Sequence, residues 1–303
     1  MLIDILQLLI YGIVLGSIIA LGAIGVSLTF GILGFANFSH GDLMTSGAYI
    51  AFTVYTILAL PLWLAFPAAI LGSIAVALVV DWAFYSRLRR SRGLILLISS
   101  FGVALIIRSL VQIVWGPDNQ VYESGIQMAV RFGTDVVGPP GLRIKPDQIR
   151  ILVGAVILVS AVHVFLRYTR MGKAMRAMAD NPDLARLTGI DTGRVIIWTW
   201  VIGAGLAGAA GVFLGLDTRL HPDMGWFILL PIFAATILGG IGKPYGAIAG
   251  GLVIGIAQEL STLPIPPDYE PLVNPAYKPA VAFAIMVLML IVRPTGLFAG
   301  RSL

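Results

Sequence analysis

Asn37, Phe38, Ser39, His40, Gly41 and Asp42 bring an amide, a hydroxyl, an imidazole and a carboxylate into six consecutive residues, directly after a run from Ile5 to Ala36 without a charged side chain. In a membrane, irregular polar backbone is tolerated only where it is buried in protein or lines water. The stretch therefore reads as a broken helix whose free peptide groups, Asn37 and Ser39 face a path, with Gly41 letting backbones approach. A simple cytoplasmic turn, with His40 and Asp42 in headgroup water, fits the same residues. A second glycine-rich stretch holds Gly239, Gly240, Gly242 and Tyr245, and the path reading expects it to face the first across water. It is not a phosphate loop, because Ile237 and Pro244 stand where that motif needs a glycine and a hydroxyl. Arg108 lies alone inside the apolar run from Phe101 to Trp115. It could meet a substrate carboxylate, but snorkelling to the outer interface or bonding helix carbonyls is the favoured expectation. His163 reads as a satisfied interfacial histidine. No acid pair or His/Asp/Glu cluster points to a metal or a hydrolase, and the absence of cysteine removes thiolate chemistry.

These groups need elements to hold them, and composition says which. Of 303 residues, 58% are hydrophobic and 12% charged, with a net charge of +5; the mean hydropathy is +0.94. Soluble domains carry about a quarter charged residues. Apolar segments lie near 5–30, 42–59, 62–82, 94–115, 150–168, 195–216, 226–241, 244–262 and 278–293. The expected fold is one all-α polytopic membrane domain over residues 1–303, with eight to ten transmembrane helices, some broken. The N-terminal segment reads as a retained helix. Basic residues stay in the cytoplasm, which places there the loop with Arg87, Arg89, Arg90 and Arg92, the segment from Arg167 to Arg194, and the tail with Arg293 and Arg301. Loops 116–149 and 263–277 then face outward. Trp63, Trp82, Trp115 and Tyr122 suit interface anchoring, and the basic balance reflects cytoplasmic loops rather than nucleic-acid binding.

An internal echo joins the two glycine-rich stretches. Ile32-Leu33-Gly34 followed by Gly41 returns as Ile237-Leu238-Gly239 followed by Gly246, at a constant offset of 205. Transporters often use such repeats, parallel or inverted. Residues 169–194 hold an amphipathic segment, with Met171, Ala174, Met175 and Met178 opposite Lys173, Arg176 and Asp180, and a short second helix from Asn181 that Gly189 ends. It could lie on the bilayer or dock a soluble partner.

The chain resembles the permease subunits of bacterial ABC importers for branched-chain amino acids, the leucine/isoleucine/valine type. The resemblance rests on Gly34-Phe35-Ala36-Asn37-Phe38-Ser39-His40-Gly41, Arg170-Met171-Gly172-Lys173-Ala174-Met175-Arg176-Ala177, Gly189-Ile190-Asp191, Leu238-Gly239-Gly240-Ile241-Gly242 and Arg293-Pro294-Thr295-Gly296-Leu297. It covers essentially the whole chain, and the length resembles the shorter permease of such pairs. What it implies is a non-enzymatic, cofactor-free subunit in the bacterial inner membrane. Its implied partners are two ATPase subunits that bind the ATP, a second related permease, and a periplasmic or extracellular substrate-binding protein. The implied cargo is a branched-chain or other small amino acid; related permeases carry urea or short amides. A permease of this kind docks its ATPase through a cytoplasmic helix marked Glu-Ala-Ala-x-x-x-Gly, which Asp183, Ala185 and Gly189 match in part, so Met171, Lys173, Arg176, Asp183, Ala185 and Gly189 are the expected coupling residues. An ion-coupled secondary transporter would need an intramembrane acid, for which only Asp42 and Glu259 offer, both expected at helix ends. A channel would pass solute without nucleotide.

Overall fold

The computed structural model describes residues 2–89, 91–122, 128–132, 141–265 and 270–298. The chain folds as a helical bundle in which every apolar segment of the sequence carries a helix. These are α1 (Leu2–Leu33), α2 (His40–Phe52), α3 (Leu62–Val80, continued by a π-helical turn to Leu88) and α4 (Gly93–Trp115). After a short hairpin of β1 (Val130–Phe132) and β2 (Leu142–Ile144) come α5 (Pro146–Tyr168), α6 (Arg170–Asp180), α7 (Pro182–Leu187) and α8 (Thr192–Asp217). The last are α9 (Met224–Gly239), α10 (Pro244–Leu260) and α11 (Lys278–Val292), with the two-residue strands β3 (Pro264–Ile265) and β4 (Glu270–Pro271) between the final pair.

Six helices among the described residues are long and apolar enough to cross a membrane unaided, fewer than the eight to ten expected. The difference lies in α2, α9 and α10, of 13, 16 and 17 residues, whereas a span takes about 20. All three pack within the bundle. α9 is short because the turn before it dips inward: Gln120 and Leu220 exchange backbone hydrogen bonds of 2.8 and 2.9 Å, and Asp223 at the helix start reaches Arg108, about two turns from the outer end of α4.

Central and peripheral helices differ in what they bury. In α1 and α8, 67% and 72% of the most apolar window is buried inside the chain, against 17% in α5. A helix apolar all round belongs in a core or against lipid, so α5 and most of α3 and α4 present their outer faces to the bilayer. The centre is closed by small residues, which replace the hydrophobic drive that lipid cannot supply. Gly12 and Gly16 of α1 lie against the Ile256 and Leu252 backbone of α10, and Gly251 lies against Ala20.

The echo at offset 205 has a structural counterpart. α1 and α9 both run inward and both end at a cytoplasmic break, where Gly31 rests on Gly242. The partners cross: α1 packs antiparallel on α10, and α2 on α9, where Gly225 N–H donates to Thr45 Oγ1 at 3.1 Å and Phe38 meets Phe233. The two helix pairs thus have parallel orientation.

Candidate functional site

The break between α1 and α2 begins at Gly34, whose φ of +75° is a left-handed conformation costly to residues with a Cβ. Past it, Asn37 Oδ1 accepts from Ser39 N–H at 3.1 Å, from Ser39 Oγ at 2.7 Å and from the Tyr85 hydroxyl at 3.2 Å. Phe38 N–H donates to Ser100 Oγ at 3.0 Å. The Tyr85 ring stacks on Trp200, centroids 5.4 Å apart and planes within 4°. Of the peptide groups that the broken helix frees, Phe38 N–H is met by Ser100 of α4 and Ser39 N–H by Asn37 of the break itself, while Tyr85 at the end of α3 holds the Asn37 side chain. The turn in headgroup water is overturned, because Asn37, Ser39 and Asp42 are 0% exposed and His40 is 1%. His40 fits only because α1 has glycine opposite: a Cβ on Gly25 would stand 2.6 Å from the imidazole. Asn37 Nδ2 and Trp200 Nε1 keep unpartnered N–H groups in this core.

Arg108 does not snorkel, and here the favoured expectation is corrected. Its Nε and Nη2 donate to the two carboxylate oxygens of Asp42 at 3.0 and 3.2 Å, Nη1 lies 3.4 Å from Asp223, and the guanidinium sits 5.1 Å from the Trp226 ring centroid. The side chain is 14% exposed. Asp42 is in the first turn of α2, as expected, but at membrane depth and neutralised by a fork-shaped donor pair. Glu259, the other acid considered, bonds Lys278 Nζ at 2.7 Å near the outer ends of α10 and α11.

The second glycine-rich stretch touches the end of α1, where Gly242 lies against Gly31. Gly239 and Gly246 close the α9–α10 turn on each other, Gly240 and Gly242 take positive φ, and Gly296 of the tail packs on Gly240. Tyr245 is half exposed and its hydroxyl lies 2.9 Å from His163 Nδ1. His163 is thereby satisfied near the inner end of α5, as read from the sequence. Of the expected anchors, Trp63 and Trp82 are exposed. Trp115 bonds Thr53 Oγ1 at 2.8 Å, and Tyr122 is buried, its hydroxyl donating to Ala48 O at 2.9 Å, so it pins the outer loop onto α2 rather than anchoring at an interface.

Sequence reasoning missed one feature altogether. A cavity of about 660 Å³ opens among α1, α8, α9, α10 and α11. Its outer rim carries Asp217, Arg219, His221, Gln258 and Lys278, and its depth is apolar, with Leu15, Phe227, Ile228 and Pro231. Met224 also lines it, and the next residue, Gly225, lies against the Gly41 backbone. The first turn of α2 therefore lies directly behind the cavity wall at the start of α9. Five elements far apart in sequence build the cavity, so no local pattern could reveal it.

On the cytoplasmic side, α6 starts at an N-cap, Thr169 Oγ1 accepting from Gly172 N–H at 2.9 Å. Asn181 Oδ1 then caps α7, accepting from Asp183 and Leu184 N–H at 3.1 and 3.0 Å. Gly189, at φ +83°, ends it, and Ile190 N–H closes back onto Ala185 O. The expected coupling residues divide by face. Lys173, Arg176, Asp183 and Gly189 are exposed and Met171 is half-buried, whereas Ala185 points inward at 3% exposure, as do Met175 and Met178. Leu184 and Leu187, 58% and 85% exposed, are apolar side chains in water that the motif match did not single out.

A bundle of this kind, with an amphipathic outer cavity, a buried ion pair at membrane depth and a capped helix pair in the cytoplasm, defines a multi-pass transport subunit of the cytoplasmic membrane. Residues 8–290 match the family described as branched-chain amino acid transport system / permease component, and the chain belongs to it. It is 36% identical to the high-affinity branched-chain amino acid transport system permease protein LivH of Escherichia coli, over 98% of this chain and 96% of that one. It is 33% identical to BraD of Pseudomonas aeruginosa, with the same coverage. To the permease LivM of Escherichia coli it is 25% identical, over 90% of this chain and 66% of that one. Among solved structures, PsaBC from Streptococcus pneumoniae in complex with Fab has the same fold, with a TM-score of 0.54 at 14% identity over 95% of this chain and 91% of that one.

Proposed function

We propose that this permease passes branched-chain or other small apolar amino acids from the outer cavity to the α1–α2 break, driven by ATPases that dock on α6 and α7. The observation that carries the reading is the outer cavity. A zwitterion with an apolar side chain needs ionic partners for its head and a dry wall for its tail, and the cavity offers a carboxylate and cations at the rim above an apolar floor. The path residues Asn37, Phe38, Ser39, His40 and Gly41 form the closed part below that floor. The unpartnered N–H of Asn37 is available to solvate cargo when the break opens. Gly239, Gly240, Gly242 and Tyr245 sit at the cytoplasmic exit, and Arg108 holds α2, α4 and α9 together at membrane depth.

The paired permease would be a related chain, a substrate-binding protein would deliver to loops 116–149 and 263–277, and of two ATPase subunits one would receive Leu184 and Leu187 with Lys173, Arg176 and Asp183. No ATP site is assigned to this chain. A single cysteine at Ile228, introduced where no native thiol competes, tests the entry route. It should react with an outside, membrane-impermeant thiol reagent, and more slowly when ATP is trapped on the ATPases. Equal rates in both states would remove the cavity from the path.

A further inference from the structure

A second cavity, of about 230 Å³, opens toward the cytoplasm where the start of the α1–α2 break, the end of α3 and the α6–α7 pair converge. One wall is apolar, with Phe35, Leu96, Met178 and Ile196; the other carries Asp81, Arg89 and Arg186. Asp81 is 6% exposed. Arg89 engages only its Oδ2, and its Oδ1 has no hydrogen-bond partner. A buried carboxylate oxygen without a donor is costly in a protein interior. Arg186 is 63% exposed and holds Asp183 only at 3.8 Å, so its guanidinium can turn to a ligand at little cost.

We propose that this cavity binds an α-amino acid with an apolar side chain from the cytoplasm. The ligand's ammonium meets Asp81 Oδ1, its carboxylate meets Arg186, and its side chain lies against Leu96, Ile196 and Met178. With Arg89 neutralising one carboxylate charge and Arg186 adding a cation, the site suits a zwitterion better than a free amine. The volume admits one such molecule. Because the ligand would tie α7 to the end of α3 beside the break, occupancy would hold the cytoplasmic pair in one position, and accumulated product would slow the transporter. Binding follows from the cavity's own lining; the brake on transport rests on the importer reading.

The test uses the full chain with Leu33, a half-buried residue of the same cavity, changed to cysteine, in inverted membrane vesicles without ATP. Millimolar L-leucine should slow labelling of Leu33→Cys by a small thiol reagent. At the same concentration 4-methylpentanoate, which lacks the ammonium, and isopentylamine, which lacks the carboxylate, should not. Adding Asp81→Asn should raise the half-protecting concentration about tenfold, the loss of one charge-assisted hydrogen bond. Absence of protection at tens of millimolar overturns the proposal, as does equal protection by the two half-molecules or protection unchanged in Asp81→Asn. Should Asp81→Asn fail to insert, the comparison of ligands on Leu33→Cys decides alone. The two readings fail separately: without the importer mechanism protection persists with no ATP-driven uptake, and without the site uptake proceeds with no protection.

Discussion

At the scale of single residues, the bond between Arg108 and Asp42 decides most. A charge buried at membrane depth is expensive unless paired, and removing one member strands the other. Arg108→Gln should destabilise the folded chain by about 3–5 kcal/mol, where a snorkelling arginine would cost little. Thermal unfolding in detergent should show it as a large drop in midpoint, and Asp42→Asn added to Arg108→Gln should recover much of it, because no carboxylate is then left alone. Asp223→Asn should cost far less, since that carboxylate is 44% exposed. Two single variants and a double with additive losses would contradict the pairing. The sequence showed that a lone arginine stood in an apolar run. It could not show its partner, 66 residues away along the chain, because a helix's face toward a distant helix leaves no local mark.

At the scale of elements, hydrophobic periodicity located the helices well. All nine apolar segments hold one, and caps at Thr169 and Asn181 with a stop at Gly189 delimit the cytoplasmic pair as residue types require. What periodicity could not tell was which helices would be short, since the inward turn before α9 depends on the outer loop that Gln120 ties to Leu220. The α2–α9 crossing depends on glycines: a Cβ on Gly41 would strike the Gly225 carbonyl. Gly41→Val should therefore destabilise by about 1–3 kcal/mol, the usual cost of overpacking, whereas the same change at Gly102, with open space around it, should cost little; comparable midpoints would refute the close crossing. In the cytoplasmic pair, Leu187→Asp should leave insertion and the unfolding midpoint unchanged, because Leu187 is 85% exposed, while abolishing stimulation of the partner ATPase. Ala185→Asp is a poorer probe, because it places a charge in a buried position and would unfold α7. Stimulated hydrolysis at the normal rate in Leu187→Asp would move the docking surface elsewhere.

At the scale of the whole molecule, the proposed transport cycle requires that the outer cavity and the closed break open in turn. Composition alone made this a membrane protein, and its motifs pointed to the family that the comparisons then showed. The cavity that would receive the cargo stayed hidden, because Leu15, Asp217, Gln258 and Lys278 meet only in the folded chain. Arg219→Gln should weaken uptake of a zwitterion by removing an exposed rim cation, with about a tenfold effect at most, since exposed charges contribute little. An uptake rate unaffected by it at low substrate would leave the rim without a role. The central claim is that cargo crosses only when a separate ATPase turns over. Proteoliposomes containing this permease with the paired permease, ATPase and binding protein proposed above, supplied with labelled leucine, test it directly. The account predicts accumulation with ATP and none with a non-hydrolysable analogue; leucine flux that continues without nucleotide, or that follows a proton or sodium gradient, would contradict it.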